Sequence, residues 1–343
     1  MQLELRKPLS EGYDRMKGLL FRPIRAETWF TLGFAAFLVA LGEGGGFNIP
    51  GNVLPDSVTK SIAKGDAQSA FANIDWVGII AGIVAVVLLF IVALAWISSR
   101  GTFVFLENLV TGRIEITSPW REFAPQANSL FAWRLTVGMV ALLVSVPLLL
   151  GFASALLVRL IGIRARHIPD EILRYLPNSI LVPSTELIVG LGVLLALWSF
   201  FFALLSLVMN DFVVPVMYRH RLSAFAAWRR AWPTVSDIPG SIILYGIFKL
   251  IVKFVIGLGI MLATFVTCFL LLFALVIPYI SSVFTLPISV TFKYFNLYYL
   301  RQLGPDFDVF SAAVAKDPGL YVPPEERPSN PGDSENPYYP YKS

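Results

Sequence analysis

The sequence predicts an all-α protein, a polytopic transmembrane helical bundle with about six spans and additional in-plane amphipathic helices. Of its 343 residues, 56% are hydrophobic and only 15% are charged, whereas soluble proteins have roughly 25% charged residues. Its apolar runs are about as long as the roughly 20 residues that a helix needs to cross a bilayer. The clearest runs are 76–97, 136–157, 187–208 and most of 242–300.

Residues 1–28 predict an amphipathic helix on the membrane surface. Apolar side chains recur at helical spacing up to Ile24, with arginine and lysine residues between them, and Pro23 interrupts the helix. The first apolar run, 28–41, covers about 21 Å as a helix, which is less than the hydrocarbon core of a bilayer. Full spanning, extension through the glycines that follow and re-entry remain open, with full spanning favoured.

The remaining elements follow in order along the chain. A polar loop at 42–75 precedes the second span, and 98–134 predicts interfacial helices with aromatic anchors. The third span contains Pro147, which is expected to kink it. The segment 159–186 predicts another surface piece, and the fourth span leads into a basic segment at 219–230. The fifth and sixth spans complete the bundle, and the aromatic residues near the end of the sixth indicate an interfacial belt.

Three regions result: an interfacial segment at 1–28, a helical bundle at 29–303 and a tail at 304–343. With six spans, most lysine and arginine residues outside the spans fall on the side that holds both termini. The positive-inside rule therefore predicts a multi-pass protein with both termini in the cytoplasm. The tail is rich in proline and poor in aliphatic residues, so we expect it to be disordered. Its tyrosines are candidates for docking onto a partner protein: Tyr338, Tyr339 and Tyr341.

Charged and polar residues near the spans form the sharpest candidate site. Lys249 and Lys253 are one helical turn apart and so share a face of the fifth span. A charge at that depth is costly unless it is paired or hydrated. Asp211, beside Asn210 at the end of the fourth span, is the nearest candidate counter-charge. We expect an Asp211–Lys249 pair with Lys253 facing a polar cavity. Three roles for these charges remain open: structural pairing with snorkelling, binding of an anionic lipid, and coupling to transport.

Helix packing has its own candidate motif in Gly78 and Gly82 at the start of the second span. Such small-xxx-small pairs let helices approach closely in lipid, within one chain or between subunits. No catalytic, cofactor or metal site is expected. The two histidines, His167 and His220, lie in arginine-rich flanks without ligand spacing, and the sequence contains neither a phosphate-binding glycine loop nor a nucleophile elbow.

Several segments together resemble an uncharacterised family of bacterial polytopic membrane proteins that carry a domain of unknown function. The segments are LFRP at 20–23, PWREF at 119–123, NSLF at 128–131, NDFVVPVMY at 210–218, AWRR at 227–230 and LRQLGP at 300–305. The resemblance covers roughly residues 10–310 and implies a six-helix bundle in a bacterial inner membrane. It implies no activity.

These observations favour a non-enzymatic integral membrane scaffold or accessory subunit of a larger complex. We expect its partners to be membrane lipids, mainly anionic, and other membrane protein subunits, and we expect no nucleic acid and no cofactor. The alternative is a small-solute or lipid transporter that uses the polar site near Asp211, Lys249 and Lys253. An intramembrane enzyme lacks a credible base or nucleophile in this sequence.

Overall fold

The computed structural model describes residues 4–42, 76–164, 185–267 and 275–311. The predicted all-α class is confirmed, since these residues form helices and no strand. The helices are α1 (Arg6–Phe21), α2 (Ala26–Gly42), α3 (Trp76–Thr111), α4 (Thr117–Glu122), α5 (Ala124–Arg164), α6 (Thr185–Val208), α7 (Val214–His220), α8 (Ala224–Asp237), α9 (Pro239–Val266), α10 (Pro278–Phe284) and α11 (Leu286–Arg301). A π-helical turn, Met209–Val213, joins α6 to α7, and a 3₁₀ turn, Pro305–Phe307, follows α11.

Four helical segments in the described chain are long and apolar enough to cross a membrane: Gly82–Thr111, Ala124–Leu157, Thr185–His220 and Pro239–Val266. The apolar helix Ala26–Gly42 is shorter, as the sequence predicts. The region predicted as the sixth span is divided, because α10 ends at Phe284 and α11 begins at Leu286. Residues 268–274 and the predicted loop at 42–75, apart from its first residue, lie outside the described residues.

Helix α3 differs from its prediction at its C-terminal half. We expected a span to end near 97 and an interfacial segment to follow, whereas one helix continues to Thr111. Phe103 and Leu106 there are fully buried rather than interfacial, because neighbouring helices cover this half of α3. The helix ends at Gly112, whose φ of 68° is readily adopted by glycine and whose N–H donates to the Asn108 carbonyl at 3.0 Å.

The chain divides into two compact units. The small unit is 132–213, and the large unit comprises the chain up to Phe131 and from Val214 onward. The core of the large unit is built from the ends of the long helices together with α1, α8 and α11. Its largest fully buried side chains are Leu20, Leu32, Phe103, Leu106, Leu109, Phe123, Leu130, Tyr245, Tyr294, Phe295 and Tyr299.

Three glycines determine how closely the helices of the large unit pack. A Cβ built at Gly12 of α1 would lie 2.8 Å from the backbone nitrogen of Phe295 in α11. One built at Gly33 of α2 would lie 2.6 Å from Cγ2 of Val283 in α10, and one at Gly101 of α3 would overlap Leu38 of α2. These helix pairs therefore approach at distances that only glycine permits.

The small unit contains most of α5 and all of α6, and side-chain hydrogen bonds join these two helices. Its α5 segment runs on through Pro147 without a break in the helix. The Nε1 of Trp198 in α6 donates to Ser145 Oγ at 3.0 Å, and Arg159 Nη1 donates to Thr185 Oγ1 at 2.9 Å. These contacts join α5 to α6 at Ser145 and Trp198, and again where the C-terminal part of α5 meets the first residue of α6.

Packing extends beyond residue 303, where we placed the start of the disordered tail. Phe307, Val309 and Phe310 are buried, with exposed fractions of 2%, 0% and 5%. Gly304, with φ of 129°, directs the chain out of α11 into this segment. Residues 304–311 are thus part of the large unit, and the remainder of the predicted tail lies outside the described residues.

Candidate functional site

The predicted polar residues Asn210 and Asp211 lie in the π-helical turn between α6 and α7. Such turns interrupt the regular hydrogen-bond ladder and occur frequently at functional sites. Asp211 is buried, with 6% of its surface exposed. Asn210 accepts a hydrogen bond of 2.8 Å from Arg134 Nη2 of α5 and faces Ser206 Oγ at 3.3 Å. Sequence reasoning did not identify Arg134 as the partner of Asn210.

The predicted lysines lie on α9, and both stand near aromatic rings. Lys249 Nζ is 5.9 Å from the ring centroid of Tyr245, and Lys253 Nζ is 6.0 Å from that of Phe292. Both distances are at the outer limit for a cation–π contact. Asp211 belongs to the small unit and the lysines belong to the large unit. The Asp211–Lys249 pair therefore remains a prediction.

The other predicted sites fall into two groups. Gly78 and Gly82 are both exposed on α3, and a Cβ built at Gly82 would meet no atom of the described residues within 4 Å. The tail tyrosines, Tyr338, Tyr339 and Tyr341, lie outside the described residues, as does His167. In the part of the chain that is described, no three His, Cys, Asp or Glu residues are grouped as metal ligands would be.

A stack of aromatic rings lies in the core of the large unit, and the sequence did not reveal it. Phe123 lies between Phe103 and Tyr218, with ring centroids 5.7 and 5.0 Å away and interplanar angles of 11° and 15°. The guanidinium of Arg221 lies 3.9 Å from the Phe123 centroid. Three segments, the end of α3, the α4–α5 junction and the end of α7, are joined at this stack.

Charged groups at the edge of this aromatic stack hold the turn between α7 and α8. The Tyr218 hydroxyl donates a short hydrogen bond to the Glu107 carboxylate, and Arg221 forms an ion pair with Glu122. Arg221 has a φ of 54°, in the left-handed region that side chains rarely adopt. Its carbonyl accepts a hydrogen bond of 3.1 Å from Gln126 Nε2. The strained turn is therefore fixed through both its side chain and its backbone.

Aromatic residues of α11 are buried instead of forming the interfacial belt that we expected. Tyr294 donates to the Leu109 carbonyl at 2.8 Å, and Tyr299 donates to the Ser241 carbonyl at 3.3 Å. Tyr245 receives a hydrogen bond of 3.1 Å from Asn296 Nδ2. Each hydroxyl has a hydrogen-bond partner, so a tyrosine can take the place of a phenylalanine in this core without a large free-energy cost.

Cationic side chains hold the segment 304–311 against the helix ends. Arg230 Nη2 donates to Asp306 Oδ1 at 2.9 Å, and His220 Nε2 lies 3.5 Å from the same oxygen. Arg219 Nη1 donates to Ser311 Oγ at 2.8 Å, and the Arg15 guanidinium stands 4.7 Å from the Phe310 ring centroid. The hydrogen bond from Arg230 lowers the pKa of Asp306 below its ordinary value of 3.8.

Comparison with known proteins identifies a family without a known activity. The model described as "Family of unknown function (DUF7544)" matches residues 7–280. The match begins within α1 and ends within α10, so it includes the aromatic stack, the π-helical turn and the lysines of α9. No curated protein and no solved structure matches the chain.

Proposed function

This chain belongs to that family of unknown function, and on this premise we propose that it is a non-enzymatic integral membrane scaffold or accessory subunit. In this proposal it crosses a bacterial inner membrane six times, with both termini in the cytoplasm. It binds anionic lipids and other membrane protein subunits. The support comes from the surface of the long helices, from the location of their ends and from unfilled glycine positions.

The surface of the long helices favours a lipid environment. In the most apolar window of each candidate span, between 0% and 11% of the residues are buried. Leu89, Leu143 and Leu250 have 71%, 72% and 69% of their surface exposed. Soluble monomers rarely expose contiguous apolar patches larger than a few hundred Å². Lipid chains or partner helices would cover such a surface and remove the free-energy cost of exposing it to water.

The ends of the helices support the proposed orientation. The last turns of α3, the first turns of α5, all of α7 and the first turns of α9 contribute to the core of the large unit. In this proposal these ends share one side of the membrane, as alternating spans require. Arginines cluster on the same core, including Arg15, Arg219 and Arg230, and the positive-inside rule favours the cytoplasm for that side.

Helix α8 has the properties of a helix lying in the membrane plane. Its buried face consists of small residues, Ala224, Ala227 and Ala231 among them. Its other face carries Trp232, which is 52% exposed and stacks on Trp228 with ring centroids 5.8 Å apart. Tryptophan is enriched at headgroup level. This helix connects the end of one candidate span to the start of the next, as an interfacial segment would.

The subunit proposal is supported by glycines at which an added Cβ would contact no described atom. Gly82 of α3 and the pair Gly257 and Gly259 of α9 have no described atom within 4 Å of a built Cβ. Gly101, on the same helix as Gly82, is by contrast filled by α2. In lipid, small residues on a helix face allow another helix to approach closely and pack by dispersion. The open glycine face of α3 is therefore suited to a helix of another subunit.

We expect Gly82→Leu to weaken association with partner chains by about tenfold, since contacts between transmembrane helices contribute on the order of 1–2 kcal/mol. The protein would be extracted in native-lipid particles at its natural expression level, and the co-isolated chains quantified by mass spectrometry. Gly18→Leu, at an open glycine outside the candidate spans, serves as the control and should retain the partners. Isolation of a monomer alone from the wild type would contradict the proposal.

The second candidate function is transport of a small solute or lipid. The observation that favours it is the π-helical turn inside the candidate span Thr185–His220, with its buried Asp211. If transport depends on Asp211 or on Lys253, then Asp211→Asn or Lys253→Met, tested separately, should lower the rate at which fluorescent phosphatidylglycerol crosses proteoliposome membranes. The exposed Lys7→Met variant is the control, and equal rates for all four proteins would exclude this lipid route.

A further inference from the structure

A cavity of about 460 Å³ opens beside the C-terminal half of α1. Its lining residues are Tyr13, Met16, Lys17 and Phe21 of α1, Arg22 just beyond the helix, and Pro287 of α11. The α1 residues are spaced so that they share one face of the helix. The volume falls within the roughly 300–1,000 Å³ of small-molecule sites. This cavity is separate from the polar residues on which the transport hypothesis depends.

Positive charge at the cavity is only partly balanced. Lys17 Nζ lies 4.1 Å from the Tyr13 ring centroid and 3.8 Å from Asp14 Oδ1. Arg22 is exposed and makes no hydrogen bond or ion pair with another described residue. The described lining of the cavity thus has two cations and no carboxylate, an arrangement that favours an anionic ligand. An arginine guanidinium can bind a phosphate through two parallel hydrogen bonds.

Met16, Phe21 and Pro287 form an apolar part of the cavity wall. This part lies near the junction between the polar helix α1 and the apolar helix α2. Phe21 is 42% exposed and packs edge-to-face on Trp29, with ring centroids 5.4 Å apart. The Trp29 indole N–H donates to the Leu20 carbonyl at 2.9 Å, which connects the two helices. Ile24, between them, is 71% exposed. A ligand with a charged end and an apolar end matches this surface better than a free inorganic anion does.

We infer that this cavity binds the headgroup of an anionic phospholipid. The phosphodiester contacts Lys17 and Arg22, and the glycerol backbone with the first acyl carbons lies against Phe21 and Pro287. The inference rests on the proposed location of the chain in a membrane and assigns one lipid class to one site. It is independent of whether partner subunits exist, so the two proposals can fail separately.

The test compares lipid binding to the full-length protein in mild detergent by native mass spectrometry, with phosphatidylglycerol and phosphatidylcholine as probes. We expect the wild type to bind phosphatidylglycerol preferentially. Each cation near an anionic surface changes affinity by about fivefold, so the double variant Lys17→Gln/Arg22→Gln should bind phosphatidylglycerol about 25-fold more weakly. Arg6→Gln/Lys7→Gln removes the same charge outside the cavity and should retain the preference.

Three outcomes would overturn the assignment. Equal binding of the two lipids by the wild type would exclude an anionic headgroup site. Equal loss in both double variants would indicate general attraction to charge. Displacement of phosphatidylglycerol by millimolar inorganic phosphate, a concentration on the order of weak ligand affinities, would indicate a site for the free anion. Lys17→Arg, which conserves the charge, should bind like the wild type and confirms that loss of binding does not reflect misfolding.

Discussion

Alanine in place of Phe123 is expected to lower the free energy of unfolding of the large unit by about 3–5 kcal/mol, the usual range for a buried phenylalanine. Phe123 is 1% exposed, and it is the central ring between Phe103 and Tyr218. Its loss leaves a cavity, removes two ring contacts and deprives Arg221 of the ring beneath its guanidinium. Unfolding in mixed micelles with increasing sodium dodecyl sulfate, followed by tryptophan fluorescence, would measure the change.

The control for this experiment is Phe254→Ala on α9. Phe254 is 67% exposed on a candidate membrane span, so the same atoms are removed without creating an internal cavity. We expect its unfolding curve to stay close to that of the wild type. Equal destabilisation by Phe123→Ala and Phe254→Ala would show that the aromatic stack is not a packing centre of the large unit.

Gly12→Ala is expected to destabilise the protein by about 1–3 kcal/mol, as overpacking of a filled core usually does. The added Cβ would lie 2.8 Å from the Phe295 nitrogen and 3.2 Å from the Thr291 carbonyl oxygen. Both are backbone atoms of α11, which cannot move aside as the end of a flexible side chain can. Helices α1 and α11 would have to separate, and the same unfolding measurement would report the loss.

Gly18→Ala provides a matched control in the same helix. No described atom lies within 4 Å of a Cβ built at Gly18, so the substitution introduces no clash. Alanine is favoured over glycine within a helix by up to about 1 kcal/mol. We therefore expect Gly18→Ala to stabilise the protein slightly, and the two substitutions to have opposite signs. Stabilisation by Gly12→Ala would contradict the close approach of α1 to α11.

The aromatic stack also bears on the proposed function. It joins the end of α3, the α4–α5 junction and the end of α7, so it holds these helix ends together. In the proposed function, a core stabilised in this way would leave the exposed apolar parts of the long helices available to lipid and to partner chains.

Sequence reasoning could not distinguish the glycines that matter for packing within the chain. Gly78 and Gly82 fit a known spacing pattern, yet both are exposed, whereas Gly12, Gly33 and Gly101 make the close contacts. A signal for Gly101 does exist, because small polar residues surround it, namely Ser98, Ser99 and Thr102. This signal can be interpreted only if it is known that α2 packs against Gly101. The local sequence around Gly101 does not contain that information.

The predicted end of the second span was wrong, since α3 continues to Thr111. At the end of α3, apolar residues continue beyond 97 because they fill a protein core, and a hydropathy pattern cannot tell protein from lipid as the apolar partner. The same ambiguity affected α11, where Tyr294 and Tyr299 resemble an interfacial belt. Their hydroxyls donate to main-chain carbonyls from distant parts of the chain.

The sequence by itself determined the helical class, the four long apolar helices among the six predicted spans, and the basic character of the segments between them. These properties depend on composition and on the 3.6-residue period, which are local along the chain. Only the tertiary structure decided which residues are buried, that Phe123 is the centre of a stack, and that Lys17 and Arg22 flank one cavity with Pro287. Those contacts join residues far apart in sequence, and they arise because helix ends must cover one another to exclude water from their apolar faces.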